Sequence, residues 1–113
     1  MSIAEQRQKH LDRANEVRVA VSRLKRGLKD GAIDPATVIA GNDPVWEPIV
    51  RRMRLEVVLV SVPGIGRVSM RELCAVVELP ETKRLEDLTF ERRRQVADLA
   101  AAVVADDAAP PVR

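Results

Sequence analysis

A chain of 113 residues has room for one domain and one modest core, which leaves no space for a large internal active-site cavity. Hydrophobic residues make up 46%, yet Trp46 and Phe90 are the only aromatics, so the core must be aliphatic and alanine-rich, a composition that suits packed helices better than strands. A net charge of +2 does not by itself require a polyanionic partner, and the lone cysteine, Cys74, leaves no intrachain disulfide and no zinc cluster.

Ser2 and Glu5 form a capping-box signature for a long first helix. Along it Leu11, Ala14, Val17, Val21, Leu24 and Leu28 recur at spacings of 3, 3, 4, 3 and 4. Asp30-Gly31 supplies the stop. This seam can dock on the rest of the domain or pair with another chain. It is short for a coiled coil, so docking and a monomeric chain are expected. No segment resembles a signal peptide and no apolar run reaches membrane-spanning length, so a cytoplasmic protein without a membrane partner is expected.

Asp34-Pro35 reads as an N-cap and first-turn proline opening a short helix through Ile39, which Gly41-Asn42 ends. Asp43-Pro44 repeats the signal, but Pro48 comes four residues later, which predicts a single turn, a break and a new helix from about Arg51 or Arg54. Trp46 is expected to wedge this junction onto the core, with base stacking as the alternative. Leu55 to Val62, LEVVLVSV, could stand alone as a strand; the helical alternative is preferred because a tight turn and a helical pattern succeed it. Pro63-Gly64-Ile65-Gly66 is that compact turn, after which Val68, Leu73, Val76 and Val77 recur at helical spacing. Pro80 stops this helix near Leu79, Leu85 and Leu88 anchor a short connection, and Thr89 caps a last helix with Phe90, Val96, Leu99, Ala100 and Val103 inward. The chain thus divides into a first helix over 1–31, the rest of the domain over 32–105, and a frayed, disordered tail over 106–113.

Charge is unevenly placed. Residues 1–30 hold eight basic and four acidic side chains, 31–50 three acidic and none basic, 51–80 five arginines against three glutamates, and 81–113 six basic and seven acidic. Basic charge gathers on the first helix and around the central turn, the layout of an electrostatic footprint, although a solvated helix surface looks similar.

The central turn carries the most chemistry. Two glycines leave backbone free of side chains, and the turn feeds a helix N-terminus, where unpaired N–H groups and the positive end of the dipole converge on one place. A phosphodiester oxygen fits such an anion site. Ile65, between Gly64 and Gly66, is expected to point into the core and lock the turn. Arg67 and Arg71 lie four apart and share a helix face. Arg52 and Arg54, just ahead of the hairpin, are further candidates.

The Pro-Gly-Ile-Gly turn resembles that of helix-hairpin-helix and helix-two-turns-helix modules. In order along the chain, Arg23-Leu24-Lys25-Arg26-Gly27, Arg52-Met53-Arg54-Leu55, the turn with Arg67-Val68, and Thr82-Lys83-Arg84-Leu85 resemble the actinobacterial integration host factor family over roughly Arg13 to Leu99. The resemblance implies an all-α fold in which a long N-terminal helix precedes a compact helix-two-turns-helix domain. It also implies a nucleoid-associated architectural protein that binds double-stranded DNA with little sequence preference, bends or compacts it, and assists recombination or transcription control, with a recombinase as partner. Carried over by position, phosphate contacts fall on Gly64, Gly66, Arg67 and Ser69, with Lys83 and Arg84 on the neighbouring loop. The chain departs from the family at Glu86-Asp87, where a basic residue and a glycine are usual, and at Ser69-Met70, where lysines are. Both departures predict weaker or redirected DNA binding.

Other features read blandly. Arg51-Arg52-Met53-Arg54 and Arg92-Arg93-Arg94 are runs that commonly face solvent. Cys74 is expected to be a small buried hydrophobe and His10 an exposed side chain. With one His, one Cys and no paired-carboxylate or nucleotide motif, no enzyme, cofactor, metal or small-molecule substrate is expected. An RNA-binding module of the same fold, as in a ribosomal small-subunit protein, and a helical protein-interaction adaptor remain alternatives. RNA recognition usually brings stacking aromatics, and this chain has no tyrosine.

Overall fold

The structure, a computed structural model, describes residues 2–108. They form six helices, α1 (Ile3–Asp30), α2 (Pro35–Ala40), α3 (Glu47–Val50), α4 (Leu55–Val60), α5 (Arg67–Val76) and α6 (Phe90–Ala108), with a short 3-10 turn at Leu85–Asp87. Among the described residues there is no strand, only an isolated antiparallel bridge between Arg54 and Arg84. Of the tail expected over 106–113, residues through Ala108 continue α6, and the others lie outside the described residues.

Local signals set most boundaries. Ser2 Oγ accepts from the Glu5 amide while Glu5 accepts from the Ser2 amide, a complete capping box at the start of α1. Asp34 caps α2 by accepting from the Thr37 amide, with Pro35 in the first turn. Asp43 Oδ1 accepts from the amide of Val45 at 3.0 Å and holds the bend before α3. Pro48 does not break the chain as expected. It sits in the first turn of α3, where its missing N–H costs no helical hydrogen bond. The 55–62 run is helical over Leu55–Val60, and its buried apolar positions, Leu55, Val58, Leu59 and Val62, have a 3-1-3 spacing that alternation along a strand would not produce.

The core is aliphatic, gathered from Leu24 and Leu28 of α1, Val38 and Ile39 of α2, Leu55 to Leu59 of α4, Met70 to Cys74 of α5 and Val96 to Ala100 of α6. α2 packs chiefly on α6, α4 on α5, and α1 on α3. The docking expected of α1 holds only for its last third: Leu24 and Leu28 are buried and Val21 is half-buried, whereas Leu11 is 58% exposed and Val17 is also open. The cause is length. A helix of 28 residues runs about 42 Å, while the molecule is 27 by 24 Å across its short axes, so the first turns project and stretch the long axis to 68 Å.

Three further expectations are corrected. Phe90 is 75% exposed rather than inward, because it is the first residue of α6 and nothing covers that end. Val68 and Val76 are each 69% exposed; Met70, Leu73 and Cys74 hold the inward positions of α5 and the buried Val77 caps its end, a phase continuous with the buried Ile65. Trp46 does pack partly on the core. Arg93, in a run expected to face solvent, is buried and bound to Glu47. Its neighbours Arg92 and Arg94 are exposed, as one buried face on a helix requires.

Candidate nucleic-acid interface

Two consecutive tight turns join α4 to α5. The Val62 amide donates to the Leu59 carbonyl and the Ile65 amide to the Val62 carbonyl, each at 3.1 Å. Gly64, with φ +90°, takes a left-handed conformation within the second that a side chain would strain. Ile65 is 4% exposed and plugs the turn from inside. Its amide is engaged and its side chain buried, so its contribution to a ligand is the shape it gives the turn. Gly66 ends the connection with extended backbone, φ −90° and ψ −176°, and no side chain caps α5 behind it. The opening of α5 is therefore unguarded, and both flanking glycines are exposed.

Gly66 differs from Gly64 in why it is glycine. Its φ is one any residue adopts, and a Cβ added there meets nothing within 4 Å. The fold does not require glycine at this position; an approach from outside would.

At the other end of α4 from the turn, the two basic segments recognised in the sequence are paired. The Leu55 amide donates to the Lys83 carbonyl at 2.9 Å, the Leu85 amide to Met53 at 3.2 Å and the Glu86 amide to Arg51 at 2.7 Å. Met53, Leu55 and Leu85 point inward and are buried, which turns Arg52, Arg54 and Arg84 outward; Lys83 is half-buried. Arg54 and Arg84 stand directly opposite one another across the bridge. Opposed residues share a face, so two like-charged side chains leave the backbone side by side, an arrangement that disfavours the fold unless an anion offsets it. Sequence reasoning named these residues but not their pairing. The alternation of inward and outward residues over 52–55 was its one local trace.

Charge pairing around the surface is light. Arg51 lies 3.8 Å from Glu86, Arg54 3.8 Å from Glu56 and Arg71 3.5 Å from Glu81. These exposed pairs contribute about 0–1 kcal/mol and yield readily to a competing anion. Glu86, at the departure from the family pattern, is thus occupied with Arg51. Among the described residues Arg52, Arg67, Lys83 and Arg84 have no carboxylate within 4.0 Å.

The candidates do not form one cluster. Arg67 and Arg71 line a common groove, as their spacing requires. Ser69 lines a different one, with Gly64, Glu72 and residues of α6. The buried Cys74 is a poor nucleophile: burial, and then the charges of Glu81 and Glu56, push its thiol pKa up. His10 is exposed on the projecting part of α1. Among the described residues no three His, Cys, Asp or Glu side chains converge, and no helix is long and apolar enough to cross a membrane.

No protein-family model matches the chain. It is similar to two curated proteins named integration host factor, from Mycolicibacterium smegmatis (strain ATCC 700084 / mc(2)155) and Mycobacterium tuberculosis (strain ATCC 25618 / H37Rv). Each is 28% identical over 94 residues, covering 83% of this chain and 88% of the relative. Among solved structures it is similar to sIHF bound to an 8bp palindromic DNA, with a TM-score of 0.62 and 22% identity over 80% of this chain and 97% of that one. At that identity the likeness shows the fold.

Proposed function

We propose that this chain is of the actinobacterial integration-host-factor type, an architectural DNA-binding protein that grips the duplex backbone and bends or compacts it. The observations that carry this are the opposition of two exposed arginines, Arg54 and Arg84, across an antiparallel bridge and, at the other end of α4, the uncapped opening of α5. Phosphate oxygens between them would relieve the repulsion and accept from both. The solved relative was captured with DNA, which supports the same ligand here.

The contact surface comprises the backbone at Gly64 and Gly66, shaped by Ile65, and the side chains of Arg52, Arg54, Arg67, Ser69, Arg71, Lys83 and Arg84. Its chemistry is binding, without bond making or breaking. Phosphate contacts position a protein but carry no direct sequence information, so the protein binds with little sequence preference. A protein of this kind sits with the nucleoid and assists recombination, beside a recombinase, or transcription control.

The test is an electrophoretic mobility shift with duplex DNA, single-stranded DNA and structured RNA over a range of salt. Duplex binding should fall steeply with salt, each neutralised phosphate adding about −0.9 to the log–log slope, and randomised duplex should compete almost as well as any genomic site. A flat salt dependence would remove the backbone grip. Preference for structured RNA would make the chain an RNA-binding module, and no affinity for any polyanion would make it an adaptor.

A further inference from the structure

We propose that the groove between α1, α4 and α5 is a second run of the DNA-contact surface, in which Lys25 and Lys29 of α1 join Arg67 on the backbone of the same duplex. This rests on the DNA-binding proposal above and extends it from the turn to the first helix.

The groove encloses about 470 Å³, and its charged lining is Lys25, Lys29, Arg67, Arg71, Glu56 and Glu81. Both acids already have basic neighbours: Glu81 lies 3.5 Å from Arg71 and Glu56 3.8 Å from Arg54. Among the described residues Lys25, Lys29 and Arg67 have no carboxylate within 4.0 Å. Three cations from two separate helices thus line one concave surface, none of them paired with its two glutamates.

Their placement is fixed by packing. Leu24 and Leu28 are fully buried and set the rotation of α1, so the next residue after each, Lys25 and Lys29, is held at the groove edge. Like charges four apart on a helix repel. The negative end of the helix dipole accounts for Lys29, in the last turn, but not for Lys25, a turn earlier, nor for Arg67 across the gap. A polyanion lying in the groove accounts for all three. The spacing suits it: four residues rise about 6 Å along the helix, a separation at which two lysines can meet neighbouring phosphates of one strand. Arg54 lies next to this surface, 3.8 Å from the groove's Glu56.

The experiment compares the salt dependence of duplex binding for the wild-type chain, the Lys25→Gln/Lys29→Gln variant, and an Arg7→Gln/Lys9→Gln control, which removes the same charge from the projecting end of α1. The groove variant should lose about 1.8 from the magnitude of the slope, two phosphate contacts at roughly 0.9 each, while the control keeps the wild-type slope. Because Lys29 also serves the helix end, Lys25→Gln alone, checked by circular dichroism, provides a variant outside the last turn and should lose about 0.9. If the wild type depends steeply on salt and the groove variants match the control, the groove is not a contact and the turn-centred proposal stands. If the wild type itself shows no salt dependence, both fall together.

Discussion

Arg93 donates from its two terminal nitrogens to the two carboxylate oxygens of Glu47, each at 2.7 Å, and from Nε to the Ile39 carbonyl at 2.9 Å. One side chain from α6 thereby ties α3 to the end of α2, whose last carbonyls have no helical partners. Gly41, which closes α2, lies against the same guanidinium: an added Cβ would come within 3.1 Å of it. Removing one member of a buried pair costs about 3–5 kcal/mol, and Glu47 retains some solvent, so Arg93→Ala should lose about 3 kcal/mol in a denaturant melt. Arg94→Ala, on the exposed side of the same helix, should stay within about 0.5 kcal/mol. Equal stability of the two variants would show that water replaces the pair.

Across the bridge, the expected effects on stability and binding have opposite signs. Arg84→Glu converts an opposed like-charge pair into an attractive one with Arg54, so the folded chain should gain up to about 1 kcal/mol. The same change places a carboxylate where a phosphate is proposed, so duplex affinity should fall. Thermal melts and mobility shifts on one preparation read both. A variant that binds DNA as well as the wild type would move the contact surface away from the bridge.

What the sequence made legible depended on how far apart the cause and the effect lie. Capping at Ser2 and Asp34 and the stop at Gly31 were readable because a single residue type meets a local geometry within four positions. The Pro63–Gly66 turn was readable for the same reason. The Arg54–Arg84 pairing joins residues thirty apart through one bridge, with no strand on either side to announce it. Arg93 looked like a member of a solvated charge run because its partner Glu47 lies 46 positions earlier. The regular seam of α1 misled in another way: periodicity reports a face, but not whether the domain is long enough to cover it.

Cys74 should be inert while the chain is folded. Its thiol pKa is raised by burial and by Glu81 and Glu56, so it stays protonated above the ordinary thiol range. A folded-state pKa above the unfolded one stabilises the fold fully at neutral pH, and that contribution is lost as pH rises through the folded value. Iodoacetamide at mildly alkaline pH should label the denatured chain readily and the native chain slowly. Comparable labelling rates would mean that α5 opens more freely than its packing suggests.

The two turn glycines allow strain and contact to be separated. At Gly64, φ is +90°, so Gly64→Val should cost about 1–3 kcal/mol and lower DNA binding partly through the fold. At Gly66, φ is −90° and the space around a new Cβ is empty, so Gly66→Val should leave the melting curve close to that of the wild type. Its branched side chain would nevertheless stand at the opening of α5, where backbone amides must come close to a phosphate. Gly66→Val is therefore expected to lose most duplex affinity with its stability intact, and Gly66→Ala to lose less. Should Gly66→Val be both stable and fully competent for binding, the opening of α5 does not face the phosphate. The turn would then be a connector, and the DNA contacts would have to come from the Arg54–Arg84 bridge and the groove beside α1.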